Sequence, residues 1–250
     1  MNNNPLNGPK YLLRGIGIIA RPRLRRFVLI PLLINMVLFA GLLWVMLLGM
    51  EWLAGELDAW LPDWLDWLTY LLWPVYVIAG LLLPVFGFVV VGNMIASPFN
   101  GLLAEAVEQE LTGRPISGAS GWRALAAEIG RTVRSELRKL GYTAVRAIPI
   151  LILLLIPGLN VIGSMLWLVF GAWLMAIQYA DYPMGNHGIS FPEQRATLAR
   201  ARLLSLGFGG SVMFLMMIPL VNFIAMPASV AGATALWVDE FSKPELPPPD

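Results

Sequence analysis

Residues 27–50 read FVLIPLLINMVLFAGLLWVMLLGM, without one charged side chain. An α-helix rises about 1.5 Å per residue, so about 20 apolar residues cross a hydrocarbon core of about 30 Å. Phe27–Met50 is long enough to do so, and it decides the class: an all-α integral membrane protein. The run exceeds the roughly 7–15 apolar residues of a cleaved signal peptide, so it reads as an anchor that stays. Pro31 lies near its start, where a missing N–H costs little. Composition agrees. Of 250 residues, 58% are hydrophobic and 13% charged, against about 25% charged in a soluble domain. A net charge of +1 gives no global pull toward nucleic acid. The absence of cysteine removes disulfides, thiolate metal sites and thiol nucleophiles. Neither a metal nor a cofactor is expected.

Working outward, the basic cluster Arg21, Arg23, Arg25 and Arg26 precedes this run. Tyr11–Ala20 before it is apolar but too short to span, as interfacial segments are. Behind the run, the loop at 51–67 holds Glu51, Glu56, Asp58, Asp63 and Asp66, with Trp52, Trp60, Trp64 and Trp67 as an interfacial belt. Leu68–Gly92 is a second uncharged run, with kinks expected at Pro74 and Pro84. All Lys and Arg before Arg114 lie at or before Arg26. The positive-inside rule then places the N-terminus and residues 93–146 in the cytoplasm.

Residues 97–145 are expected to form cytoplasmic amphipathic helices. Ser97 or Asn100 caps the first, and Gly113-Arg114-Pro115 breaks it near Thr112. In the second, Trp122, Leu125, Ile129, Val133, Leu137 and Leu140 make an apolar stripe, with Arg123, Arg131, Arg134, Arg138 and Lys139 opposite. Such a helix lies either on anionic lipid or on the rest of the bundle.

The last hundred residues carry an internal repeat. Apolar Ala147–Ile156 is broken by Pro157-Gly158-Leu159-Asn160, and Val161–Ile177 follows. Leu203–Ile218 is broken by Pro219-Leu220-Val221-Asn222, and Phe223–Val238 follows. Ile-Pro-x-x-Asn recurs, and Asp181 and Asp239 close the units. Arms this short read as two partly inserted hairpins, 147–177 and 203–238, or as two pairs of short tilted spanning helices. A turn at membrane depth is tolerated only inside protein or beside a wet cavity, and paired broken segments are a pointer to a transport path.

Five stretches then combine: RRFVLIPLLIN (25–35), PDWLDWLTYLLWP (62–74), SPFNGLLAE (97–105), AIQYADYP (176–183) and GATALWVD (232–239). In this order they resemble the CysZ family of bacterial sulfate permeases, from about Tyr11 to Asp239. The resemblance implies sulfate uptake across the bacterial inner membrane for cysteine biosynthesis. It also implies a homo-oligomer with two long transmembrane helices plus two partly inserted helical hairpins. In that family sulfate binds at a Gly-Leu-Arg-Arg-type turn entering the first long helix. The matching residues are Arg23, Leu24, Arg25 and Arg26, with Arg23 in place of the small residue.

The chemistry suits those residue types. Sulfate is a dianion with four acceptor oxygens, a helix N-terminus offers N–H donors and a positive dipole end, and Arg adds forked charge-assisted donors. Arginines flanking a spanning helix also set topology and meet lipid phosphate without any cargo. A dianion needs a polar path, because an unpaired charge in hydrocarbon is prohibitive. Asn35, Asn93, Asn100, Glu105, Arg146, Asn160, Gln178, Asp181 and Asn222 are candidates for lining it or bracing the bundle, with Arg146 and Asp181 as a prospective ion pair. No G-x-x-x-x-G-K-[ST] loop occurs, so a channel-like or secondary route is expected rather than direct ATP drive. Sulfite is the expected competitor and membrane lipids are the expected surroundings. The rival functions are a non-transporting lipid-binding scaffold and an enzyme using His187. No nucleophile or metal cluster accompanies His187, so it reads as a loop residue and the chain as a non-enzyme.

Overall fold

The computed structural model describes residues 3–60, 67, 73–74, 77–78, 99–114, 122–218 and 221–242, and among these every regular element is helical. Helix α1 spans Gly8–Ile19, α2 Arg25–Trp60, α3 residues 99–112, α4 Trp122–Leu155 and α5 Asn160–Asn186. Helix α6 spans Phe191–Arg200, α7 Arg202–Met216 and α8 Asn222–Leu236, and a π-helical turn Trp237–Phe241 follows. Contacts divide the chain into two units, Met1–Val28 with Asn100–Asp250, and Leu29–Phe99.

Helix α2 contains the opening stretch and continues for 36 residues, through Pro31. In an 18-residue apolar window of Arg25–Gly49, only 6% of the residues are buried among those described. An uncovered apolar surface of that length has no stable aqueous counterpart, so lipid is its solvent. The expected second run, Leu68–Gly92, lies almost wholly outside the described residues. The second described helix long and apolar enough to cross is α5, at 27 residues. The sequence reading ended that segment at Ile177. The helix continues because Gln178 is exposed on its surface and Asp181 acquires a cation.

The break before α5 is where the Pro-x-x-Asn motif put it. Gly158 has φ of 85°, a left-handed value that side-chain-bearing residues avoid, and it turns the chain between α4 and α5. Gly113 does the same after α3, at φ of 70°. Asn160 and Asn222 each open the following helix. Residues 219–220, the centre of the second break, lie outside the described set. Helix α4, by contrast, has no break between the expected cytoplasmic helix and the first hairpin arm. It runs through Pro149 as one helix.

The larger unit is held by close backbone approach. A Cβ on Gly15 of α1 would strike the Ala228 carbonyl and the Gly232 amide of α8, and one on Gly209 of α7 would strike the backbone of α5 at Ala172 and Ala176. Gly8 meets Gly207 and Phe208 of α7 in the same way. Inside lipid no hydrophobic difference drives helices together, so van der Waals contact between small residues does that work. Around these crossings Leu12, Ile18, Leu24, Leu103, Leu204, Phe208 and Val212 form the core. The chain turns by 105° between α6 and α7, at buried Ala201.

Gly17, two residues on and on the opposite face of the same helix, faces open space. Gly15→Leu should therefore lower the detergent-solubilised melting temperature sharply, as overpacking by about 1–3 kcal/mol or more does. Gly17→Leu should leave it unchanged or raise it slightly. Equal melting temperatures for the two variants would contradict the α1–α8 crossing.

Candidate functional site

The turn between α1 and α2 presents the arginine cluster. Leu24, 2% exposed, is driven into the core and pins the turn, while Arg23, Arg25 and Arg26 point outward and are exposed. The Leu24 and Arg25 amides both donate to the Arg21 carbonyl, at 3.0 and 3.1 Å. Arg25 Nε donates back to the Ala20 carbonyl at 2.7 Å, and the Arg26 guanidinium lies over the Phe27 ring, 5.0 Å from its centroid. Arg21 pairs with Glu110 of α3 at 2.9 Å. The turn is thus anchored from both sides, and the three other guanidiniums stand at the first turn of the longest apolar helix. No carboxylate among the described residues lies within ion-pair distance of them.

Helix α1 itself is fixed to the end of α8. Arg14 meets Asp239 at 2.5 Å and the Tyr11 hydroxyl donates to Glu240 at 3.1 Å. Burial, with Glu240 beside it, pushes that hydroxyl above the ordinary tyrosine pKa. Asp239, which closes the second repeat unit, therefore takes a cation from α1.

Asp181, which closes the first unit, takes Lys139 of α4 as its cation, not the expected Arg146. Its other oxygen accepts a hydrogen bond from Gln194 Nε2 of α6 at 2.6 Å. Lys139 also meets Glu136 at 2.8 Å and is 8% exposed. Burial alone would lower the Lys139 pKa, but Asp181 and Glu136 outweigh it and hold it above the ordinary lysine value. The contribution of the Lys139 charge is thus complete below the ordinary lysine pKa and is lost as pH rises through its raised value. On the described part of α4, Leu137 and Leu140 of its apolar stripe are 64% and 65% exposed, open to lipid, Arg138 of its basic face is exposed, and Lys139 alone turns inward to Asp181.

The remaining candidates separate. Asn100 is buried, and its amide donates to the Tyr182 hydroxyl at 3.3 Å and to Met226 sulfur at 3.2 Å, joining α3, α5 and α8. Glu105 is half-buried on α3. Asn35 is half-buried in α2, and its Oδ1 accepts no hydrogen bond among the described residues. Asn160 is exposed at the α4–α5 turn. The Asn222 side chain and Asn93 lie outside the described residues. His187 sits in the loop after α5, 2.8 Å from Glu108 of α3 and 5.6 Å from the Trp237 ring.

Lys139, Gln194 and Glu108 escaped the sequence reading, because each is placed by a partner distant in the chain. The one local signal was Ser190–Glu193, a capping box that starts α6 and so fixes Gln194. Arg146 stacks on Tyr142, 4.6 Å from the ring centroid.

Residues 11–227 match the family described as "Sulfate transporter CysZ/Etoposide-induced protein 2.4". The chain is 46% identical over 235 residues to the sulfate transporter CysZ of Pseudomonas fluorescens, covering 94% of each chain. It is 46% identical over 242 residues to that of Pseudomonas syringae pv. tomato, covering 97% of this chain and 96% of the relative. Against that of Salmonella typhimurium it is 43% identical over 245 residues, covering 94% and 93%.

Removing one partner of a buried ion pair costs about 3–5 kcal/mol, more than the pair is worth against apolar replacements. Lys139→Met should therefore destabilise the solubilised protein by about 3 kcal/mol, and Lys139→Met/Asp181→Asn should recover most of it in the same denaturation assay. Additive losses would mean that the two side chains act independently.

Proposed function

The chain belongs to the sulfate transporter CysZ/etoposide-induced protein 2.4 family, and from that premise we propose that it carries sulfate across the bacterial inner membrane. The observation that carries the reading is the likeness to sulfate transporters along nearly the whole chain. The arginine turn supports its site. Arg23, Arg25 and Arg26 are exposed ahead of an apolar helix, with Leu24 holding the turn in place. They offer forked donors and a helix N-terminus to a dianion that carries four acceptor oxygens.

Transport supplies sulfate for cysteine synthesis, and the chain performs no covalent chemistry. The drive follows from electrostatics. One charge crossing 100 mV is worth about 2.3 kcal/mol, so a dianion entering an inside-negative cell faces about 4.6 kcal/mol. That is roughly three orders of magnitude in concentration ratio. A channel-like or secondary route then depends on proton coupling, high external sulfate or rapid consumption inside, and not on ATP at this chain. The N-terminus and α3 lie on the cytoplasmic side, and the protein works as a homo-oligomer.

The α4–α5 and α7–α8 turns dip into the bilayer. Leu155, Ile156, Leu159, Val161 and Ile162 at the first, and Phe214, Met217, Ile218 and Ile224 at the second, are exposed large apolar side chains. Only hydrocarbon or a second copy covers such tips without cost. At the first tip the Leu159 amide donates to the Ile156 carbonyl and the Gly163 amide to the Leu159 carbonyl, at 3.1 and 2.9 Å. These bonds reduce the penalty for backbone at that depth.

Influx of radiolabelled sulfate into proteoliposomes tests this reading. Arg25→Ala/Arg26→Ala should slow the initial rate at least roughly tenfold, the effect of losing one or two charge-assisted hydrogen bonds. His187→Ala should keep full influx. Wild-type protein that moves no sulfate would leave a non-transporting lipid-binding scaffold, and an unaltered rate in the arginine variant would remove the site from this turn.

A further inference from the structure

Away from the α1–α2 turn, a second cluster of arginines surrounds one aromatic ring. The Arg146 guanidinium of α4 and the Arg195 guanidinium of α6 lie over the Tyr142 ring, 4.6 and 4.3 Å from its centroid. The ring itself is immobilised. Trp173 Nε1 of α5 donates to its hydroxyl at 2.9 Å, and Phe191 meets it edge-on at 5.7 Å. Two cavities flank this stack, of about 400 and 360 Å³, and share Tyr142, Arg146, Pro192 and Arg195 in their walls. Arg202 adds a third guanidinium to the larger and Arg138 to the smaller.

No carboxylate among the described residues pairs with Arg138, Arg146, Arg195 or Arg202. Arg14, Arg21 and Lys139 of this unit each have one, and Arg23, Arg25 and Arg26, like this cluster, do not. Arginine cannot relieve the repulsion by losing its proton. Stacking on Tyr142 leaves the charge of the guanidiniums in place. The far wall of the larger cavity is apolar, from Ile150, Leu166, Val169 and Leu206, and α5 beyond it exposes Leu166, Leu168 and Val169.

We propose that Arg146 and Arg195, assisted by Arg202, bind a tetrahedral oxyanion, either the phosphate of an anionic phospholipid or free sulfate. The apolar wall gives the start of an acyl chain somewhere to lie in the first case. Forked guanidiniums match two oxygens of either group. The site uses none of Arg23–Arg26 and stands whether or not sulfate is the cargo.

The experiment uses full-length protein in detergent, with two arms. Native mass spectrometry compares retained phosphatidylglycerol with phosphatidylcholine, and equilibrium binding of radiolabelled sulfate is measured on delipidated protein. Arg146→Gln/Arg195→Gln should lose at least roughly tenfold in affinity in one arm. Loss of the phosphatidylglycerol preference assigns the site to lipid, and loss of sulfate binding assigns it to the free ion. Arg202→Gln, which leaves the Tyr142 stack untouched, should weaken the same arm, so a folding defect in the double variant does not decide the result. Arg25→Gln/Arg26→Gln should keep the lipid preference, which separates this site from the transport reading. Both arms unchanged in Arg146→Gln/Arg195→Gln and in Arg202→Gln would overturn the proposal.

Discussion

The backbones of α1 and α8 touch where Gly15 lies against Ala228 and Gly232, and that approach governs the placement of the arginine turn. A membrane protein cannot rely on expelling water from between its helices, so its contacts must be short to be worth having. Because α1 lies so near α8, Arg14 and Tyr11 reach the carboxylates of Asp239 and Glu240. With α1 fixed at that end and Leu24 buried at the other, the chain has little freedom as it enters α2. The exposed Arg23, Arg25 and Arg26 stand on a turn held at both ends by these contacts.

A second set of constraints is polar. Asp181 accepts from Lys139 of α4 and Gln194 of α6, so a single carboxylate ties three helices together. Asn100 ties α3 to α5 and α8 by the same logic. Asp181 and Asn100 were candidates for lining a polar path or bracing the bundle, and these are the contacts they make within the larger unit. The Arg146–Tyr142–Arg195 stack differs from them in kind. Its charges have aromatic neighbours but no counter-ion among the described residues, and on that rests the proposed oxyanion site.

Several elements were legible because a local rule governed them. Residues 27–50 are helical and uncovered, as an uncharged apolar run must be. The Pro-x-x-Asn breaks fall at the starts of α5 and α8, since Pro and Gly act on the chain at their own positions. Other expectations missed. Helix α5 continues past Gln178 and Asp181, and the cation of Asp181 is Lys139, a partner far along the chain. Arg146 instead finds the ring of Tyr142 on its own helix.

By itself, then, the sequence determined that the protein is helical, that it lives in lipid, where its helices break and which family it resembles. Those properties follow from apolar run length, from the backbone limits of Pro and Gly and from extended local motifs. Tertiary structure alone decided which charges are paired. Burial in lipid or protein makes an unpartnered charge costly, so a buried charge such as Lys139 is placed by the partner that folding brings within reach. Lys139 found Asp181 by that route, and the arginines around Tyr142 were left facing a cavity.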